Sequence, residues 1–212
     1  MKIISTNLAQ ERTIQWKGRA HTTGIYKLPT DAPIQLGKET VQADHIANRA
    51  VHGGEDKACY IYGYNNYPFW QNRFPDLDWA YGMMGENLTI DHLDEAEAII
   101  GNIYQLGEAT VQISRPRQPC FKFAAKFGDE AVIELMIDHL LTGTYLRVIE
   151  TGVVRVGDEF KLIKAQEPAV SIKQLVKLMF HYDSSQDHAI AEMILEHPAV
   201  SESDKKYIRR RM

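Results

Sequence analysis

Short apolar segments separated by glycines run through residues 1–167, and they restrict the possible fold more than any other feature of this chain. The segment Thr110-Val111-Gln112-Ile113-Ser114 alternates polar and apolar residues with a period of two, which predicts a half-buried strand. The glycines between such segments are typical of turns. Strands are predicted at residues 2–8, 24–26, 57–61, 87–90, 103–106, 110–114, 145–149 and 159–163. We therefore expect a mostly β (α+β) fold, a barrel or sandwich with helical insertions.

Helical patterns are predicted at fewer places. One is the aromatic-rich segment 65–73, and another is 129–141, where Asp129 can cap the N-terminus and Gly143 lies beyond the C-terminus. After Glu167-Pro168 the pattern becomes helical, with helices predicted after Ser171, after 183–186 and after Ser201. The sequence thus predicts a β domain at 1–167 and a three-helix domain at 168–212. Three short helices bury little by themselves, so we expect them to pack on the β domain or on a partner.

Composition excludes several classes of protein. The chain has 212 residues and a net charge of −4, which does not favour a general nucleic-acid binder. Its apolar runs are all shorter than the ~20 residues that a membrane helix needs. The N-terminal segment reaches polar residues too early for a secretory signal, and two cysteines without framework spacing suit a reducing compartment. We expect a cytoplasmic protein that binds neither nucleic acid nor membrane.

The run Arg115-Pro116-Arg117-Gln118-Pro119-Cys120 places one of the two cysteines behind two prolines and two arginines. Proline fixes φ, removes a backbone donor and pushes the preceding residue into an extended conformation, so the run should be rigid, non-helical and partly exposed. The permanent arginine charges favour a thiolate at Cys120. A thiolate is both a nucleophile and a soft metal ligand. The run therefore predicts a sulfur held in a positive field, which suits a metal bound through an anionic carrier.

Other interpretations of the two cysteines stay open. A free cysteine is usually a small buried hydrophobe, and Cys59 lies in an apolar strand pattern where that interpretation is favoured. For Cys120 the proline-rich context favours a functional role instead, because core cysteines lie within strands or helices.

Three weaker patterns offer further polar groups. In His52-Gly53-Gly54-Glu55-Asp56-Lys57 the paired glycines allow an anion-binding turn, with Lys57 as a nearby charge. Gly85-Glu86-Asn87 places hydrogen-bonding side chains where a strand begins. Arg147 lies within an apolar strand and faces either solvent or a ligand phosphate, and its periodicity does not decide between them. Each of the first two patterns also describes an ordinary polar turn.

Taken in order, these patterns resemble the MOSC domain family, which is related to the C-terminal part of molybdenum cofactor sulfurases. The resemblance rests on five short motifs, and the last 45 residues resemble the 3-alpha domain that follows MOSC in one bacterial branch. The five motifs are Thr23-Gly24-Ile25 with Lys27, His52-Gly53-Gly54 with Lys57, Gly85-Glu86-Asn87-Leu88, the proline run ending at Cys120, and Gly143-Thr144-Tyr145 through Arg147 to Gly157-Asp158.

The resemblance implies an antiparallel β-barrel with peripheral helices, and a molybdenum–molybdopterin cofactor (Moco) whose protein sulfur ligand is Cys120. It also implies reduction of N-hydroxylated compounds such as 6-N-hydroxylaminopurine, hydroxylamines and amidoximes, a detoxifying reaction, with electrons from a separate flavoprotein reductase. The cofactor would be held by groups in the matching motifs: Lys57, His52, Gly53, Gly54, Glu86, Asn87, Arg115, Arg117 and Arg147.

Two alternatives remain at the level of sequence. The chain could be a non-catalytic carrier of the cofactor or of sulfur, with a persulfide on Cys120, or it could be a thiol enzyme without metal. Metal content distinguishes them from the molybdenum reductase.

Overall fold

A computed structural model describes residues 1–212, except for the side chains of residues 50 and 51. The strands are β1 Ile3–Leu8, β2 Arg12–Trp16, β3 Arg19–Thr23, β4 Leu28–Thr30, β5 Ile34–Leu36, β6 Cys59–Gly63, β7 Leu88–Ile90, β8 Ile103–Leu106, β9 Ala109–Pro116, β10 Thr144–Glu150, β11 Gly152–Val154 and β12 Lys161–Lys164. The α-helices are α1 Arg49–His52, α2 Tyr67–Arg73, α3 Phe121–Phe127, α4 Ala131–Asp138, α5 Ile172–Phe180, α6 His188–Glu196 and α7 Glu202–Arg209. Short 3₁₀ turns lie at Glu55–Lys57 and Tyr64–Asn66.

The main sheet has eight strands in the order β12-β8-β9-β10-β6-β7-β1-β4 and curls into a half-barrel. Neighbouring strands are antiparallel, except that β6 and β7 run parallel with Ile61 opposite Leu88. The prediction of a mostly antiparallel barrel with peripheral helices is confirmed in this half-barrel form. Among the described helices, none is long and apolar enough to cross a membrane.

The hairpin formed by β2 and β3 lies outside the main sheet and was not predicted from the sequence. Its turn is Lys17-Gly18, and both residues have positive φ, 49° and 75°, as a tight two-residue hairpin turn requires. In β2, Ile14 is buried and the polar residues on either side of it are exposed. The segment has too few apolar residues for an alternating pattern to be recognised in the sequence.

Several predicted boundaries were wrong. Residues 24–26 form no strand, and β6 begins at Cys59 because residues 55–57 turn in a 3₁₀ helix. The helix expected at 129–141 is the shorter α4, and the Asp129 carboxylate accepts from Ala131 N at 2.9 Å just before it. Helix α3 was not predicted from the sequence; it ends at Gly128, which has the left-handed conformation (φ 72°).

The three predicted C-terminal helices are confirmed. Ser171 and Gln174 form a capping box at the start of α5, and the Ser201 hydroxyl accepts from Asp204 N at the start of α7. Apolar side chains of these helices join the same buried core as the strands of the half-barrel. The expectation that they pack on the β domain is therefore confirmed, while the boundary at residues 167 and 168 stays a prediction.

A second core, rich in aromatic rings, lies under α2, α3 and α4. Trp70 is fully buried and donates to the Tyr62 hydroxyl at 2.6 Å, and the Phe123 and Phe127 rings are 4.7 Å apart. Because α3 follows Cys120 directly, this packing fixes the position of the cysteine.

Candidate functional site

A cavity opens where the proline run meets the segments 23–27, 44–47 and 52–60. The cavity and its open mouth together contain ≈ 630 Å³ of empty space. Five of the ten site residues predicted from sequence line it: His52, Lys57, Asn87, Arg117 and Cys120. The lining is completed by Thr23, Gly24, Ile25, Lys27, Asp44, His45, Ile46, Ala47, Ala58, Tyr60, Gly85, Lys122 and Tyr145.

Cys120 reaches this cavity because of two structural transitions. Strand β9 ends at Pro116, a short segment without regular secondary structure follows, and Cys120 is the N-cap residue of α3 with φ −134° and ψ 169°. Its carbonyl accepts from Phe123 N at 2.8 Å. The thiol is partly exposed, whereas Cys59 is fully buried in β6 and burial raises the pKa of its thiol. The two cysteines thus have the exposure that the sequence predicted, Cys120 partly exposed and Cys59 in the core.

Arg117 supplies a buried cation beside the sulfur. Its guanidinium lies 4.9 Å from the centre of the Tyr60 ring and 4.8 Å from that of Phe123, and it donates to the Met84 carbonyl. Gly85 makes room for it, because a Cβ there would lie 3.1 Å from Arg117 Nη1 and the residue has φ +81°. The aromatic contacts hold the charge in place, and no carboxylate among the described side chains forms an ion pair with it.

A buried ion pair between Lys27 and Asp44 forms the floor of the cavity. Asp44 also accepts from Asn87 Nδ2 at 3.0 Å and from Ala9 N at 2.8 Å. Sequence patterns single out neither Asp44 nor His45 and give Lys27 no role, since nothing local distinguishes an acid at 44 as the partner of a lysine at 27. Asp44 and His45 line the cavity because their segment crosses the chain at Gly24, where a Cβ would lie 1.8 Å from the His45 carbonyl oxygen.

The cations of the cavity act on one another. Burial, then Arg117, Lys122 and Lys57, lowers the pKa of His52 to about 4, so its ring is neutral at neutral pH. Burial also lowers the pKa of Lys57, with a further contribution from Arg115. A cavity in which positive charges raise one another's energy favours an anionic ligand, which would relieve the repulsion.

The other five predicted residues lie outside the lining. Glu86 is fully buried beneath it, where its Oε1 accepts from Tyr67 Oη at 2.5 Å, Thr89 Oγ1 at 2.7 Å and Gly82 N at 3.0 Å. Gly53 and Gly54 belong to the turn that leads to Lys57, and Gly54 has φ +96°. The turn thus places Lys57, while the Glu86 carboxylate binds the protein's own donors.

Arg115 and Arg147 also lie outside the lining, and both pair with carboxylates far away in the chain. Arg115 pairs with Asp204 of α7 and donates to Ser203 Oγ at 3.0 Å. Arg147 pairs with Asp56 and donates to the Gln112 side chain. Since Asp56 precedes Lys57, Arg147 anchors the turn that carries this cavity lysine. The sequence-based prediction that these two arginines contact a cofactor therefore competes with a second interpretation, in which they act only through their carboxylate partners.

The residues present fit a molybdenum cofactor with an anionic carrier. Cys120 offers a sulfur ligand, and Lys57, Arg117 and Lys122 offer charges for a phosphate. Backbone at Gly24 and Gly85 lies at the wall, where a larger side chain would meet His45 or Arg117. The cavity therefore combines one soft ligand, several cations and close backbone approach.

Fold and site together define a MOSC-domain protein. A family model for the MOSC domain matches residues 48–161, and the chain belongs to that family. It is 37% identical to the uncharacterized protein YflK of Bacillus subtilis over 95% of this chain and 90% of YflK. The crystal structure of YiiM from Geobacillus stearothermophilus superposes with a TM-score of 0.81 at 31% identity, covering 99% of this chain and 98% of that one. A protein named reductase from Gibberella moniliformis is 30% identical over 74% of this chain, but only 28% of that protein is matched.

The family match begins at residue 48, yet part of the cavity comes from before it. Thr23, Gly24, Lys27 and Asp44 all line the cavity. The N-terminal segment is thus part of the candidate site.

Proposed function

We propose that this chain is a molybdenum-cofactor-dependent reductase of N-hydroxylated compounds that receives electrons from a separate flavoprotein. The observation that carries the proposal is the placement of Cys120 in one cavity with Lys57, Arg117 and Lys122. The family match and the relative named reductase support it. Substrates of this class include 6-N-hydroxylaminopurine, hydroxylamines and amidoximes.

The reaction is balanced by two electrons and two protons: R–NHOH becomes R–NH₂ and water. When bound, molybdenum on a dithiolene supplies the two-electron chemistry that removes the oxygen. Cys120 would ligate the metal, and Lys57, Arg117 and Lys122 would hold the anionic end of the carrier. The Lys27–Asp44 pair and Asn87 would keep the floor rigid.

His52 has a separate part in this proposal. Because burial, the largest cause, lowers its pKa, the ring favours the neutral form, which offers one N–H donor and one acceptor nitrogen. Those groups can orient a polar substrate without adding another charge. The buried Tyr60 and the neighbouring Tyr145 form an aromatic wall, with ring centres 5.1 Å apart, against which a planar base can stack.

The test is to purify the protein from a host that makes the cofactor and to measure metal content and turnover. We expect stoichiometric molybdenum and reduction of 6-N-hydroxylaminopurine with reduced methyl viologen as a small donor. Protein without molybdenum, but with the mass of one extra sulfur on Cys120, would instead indicate the persulfide carrier. Turnover that persists without any metal would indicate a thiol enzyme.

A further inference from the structure

We infer that the β2–β3 hairpin and the first turn of α3 form the docking surface for an acidic electron-donating protein; the inference rests on the proposed function. We call it the hairpin surface and define it by Trp16, Lys17, Arg19, His21, Phe121 and Lys122.

Charge is strongly segregated in this part of the chain. Residues 12–27 and 115–127 contain eight of the 24 lysines and arginines and none of the 28 aspartates and glutamates. The remainder of the chain is correspondingly acidic, since the net charge is −4. Of these eight cations, Lys27, Arg115 and Arg117 are buried, so the positive face is formed by the exposed Arg12, Lys17 and Arg19 and the half-buried Lys122. A positive face on an acidic protein attracts a negatively charged partner and orients it as it approaches.

The hairpin surface also carries aromatic groups, which ordinary solvated charge clusters lack. Phe121 is 40% exposed although it follows the cavity residue Cys120 directly, and its ring centre lies 4.7 Å from that of His21. Lys17 Nζ lies 5.9 Å from the centre of the Trp16 ring. Trp16, Lys17, Arg19, His21 and Phe121 line one open depression, together with Glu130. Exposed aromatic and cationic side chains together are enriched at protein interfaces.

The surface borders the cavity rather than lying at a distance from it. Lys122 lines the cavity, and its Nζ donates to the Thr22 carbonyl of β3 at 2.6 Å. Thr23, the last residue of β3, lines the cavity as well. A partner seated on the hairpin surface would therefore lie beside the wall that carries Cys120.

The acidic group already present does not neutralise the surface. Glu130 lies 2.6 Å from Lys17 Nζ, but both side chains are more than 60% exposed, at 61% and 64%. Such a pair in water contributes little, so carboxylates of a partner can replace it. Arg19 has no carboxylate within ion-pair distance in the part of the chain that the structure describes.

The basic end of α7 offers a second possible surface and is the matched control. Arg209 and Arg210 are exposed like Lys17 and Arg19, but they lie on the C-terminal helix. We compare the double variant Lys17→Glu/Arg19→Glu with Arg209→Glu/Arg210→Glu, and with the conservative Lys17→Arg/Arg19→Lys. All are prepared with cofactor bound and are checked for unchanged melting temperature.

Each protein is assayed with reduced flavodoxin, an acidic flavoprotein, and with reduced methyl viologen. We expect the hairpin charge reversal to raise the KM for flavodoxin about tenfold at low salt, with the difference shrinking as salt rises. Turnover with methyl viologen should be unchanged, and the α7 and conservative variants should resemble wild type with both donors.

Three results would overturn the inference. An equal or larger effect in the α7 variant would place docking there, and wild-type kinetics in the hairpin variant would exclude this surface. The same proteins are also passed over immobilised duplex DNA. A hairpin variant that is no longer retained there, but keeps wild-type kinetics with flavodoxin, would assign the charge to nucleic acid. If wild-type protein reduces no substrate with methyl viologen, the proposed function itself fails, and that failure is separate from the comparison of variants.

Discussion

Arg115 and Asp204 form an ion pair that is almost fully buried, with side chains 8% and 0% exposed, although 89 positions separate them. The pair joins β9, which leads to Cys120, to the C-terminal helix α7. Asp204 is held further by the Ser201 hydroxyl at 2.8 Å. The strand that positions the cavity cysteine is thus attached to the last helix of the chain by a charge contact in the core.

Loss of this ion pair should lower the free energy of unfolding. Asp204→Asn leaves the Arg115 charge buried without a carboxylate, and we expect it to lower the free energy of unfolding by about 3–5 kcal/mol. Urea denaturation measures this. Glu202→Gln on the same helix is the control, because Glu202 is 77% exposed and its pairing with Lys205 contributes little. Equal costs for the two variants would refute the importance of the buried pair. For the same reason we do not expect residues 1–167 to fold well alone.

Substitutions of the two cysteines should have different effects on metal content and turnover. Cys120→Ala should abolish turnover and sharply lower molybdenum content, because it removes the only sulfur that lines the cavity among the described residues. Cys59→Ala should leave the molybdenum content near wild type and cost about 1 kcal/mol of stability through a small core void. Metal analysis and thermal unfolding of both variants test this, and equal loss of metal would rule out a single protein ligand.

Substitutions of Lys57 and Arg147 distinguish direct contact with the cofactor from an indirect effect on the turn that carries Lys57. Lys57→Met removes a cavity cation, so we expect cofactor occupancy to fall about ten- to a hundredfold, equivalent to about 1.5–3 kcal/mol. Arg147→Met removes the partner of Asp56 and should lower occupancy much less, through a loosened turn. Molybdenum per chain measures both effects, and turnover per bound molybdenum should stay constant. A larger loss in Arg147→Met would mean that this arginine contacts the cofactor itself.

His52 reports the electrostatic state of the cavity. Its NMR titration should have a midpoint of about 4 rather than 6.5, because burial and nearby cations disfavour the imidazolium. Folding then favours the neutral ring, so this residue's contribution to stability is lost as pH falls from 6.5 toward 4. Lys122→Met should raise the midpoint only in part, since burial remains. A midpoint near 6.5 in wild type would contradict a buried, cationic cavity.

Glu95 lies away from the cavity, and its effect on stability should depend on pH in the opposite direction to that of His52. Burial raises the pKa of this carboxyl to about 7, although it accepts from Gly143 N at 3.2 Å. The contribution of Glu95 to the free energy of unfolding is fully present below pH 4.5 and is lost as pH rises through 7. A shift from 4.5 to about 7 corresponds to about 3 kcal/mol, so Glu95→Gln should gain up to that much stability at pH 8 relative to pH 5. Urea denaturation at both values tests it, and a pH-independent effect would contradict it.

Sequence patterns predicted the parts of this site that depend on local chemistry. Proline geometry placed Cys120 outside regular structure, and the apolar pattern around Cys59 placed that thiol in the core. Local patterns could not distinguish Arg117, which lines the cavity, from Arg115 two positions earlier, which faces α7. The difference depends on carboxylates such as Asp204 and Asp56, whose distance along the chain leaves no periodic signal. The floor acid Asp44 was missed for the same reason.

The crossing of Gly24 over the His45 carbonyl limits how this site can diversify. Because the two backbones are in contact, neither segment can shift inward without a clash, and position 24 tolerates no side chain. New ligand preferences must therefore arise by exchanging the side chains that project from a fixed frame, such as those of Thr23, Ile25 and His45. Relatives with different substrates should keep the backbone path at Gly24 and differ only in the side chains that project from it.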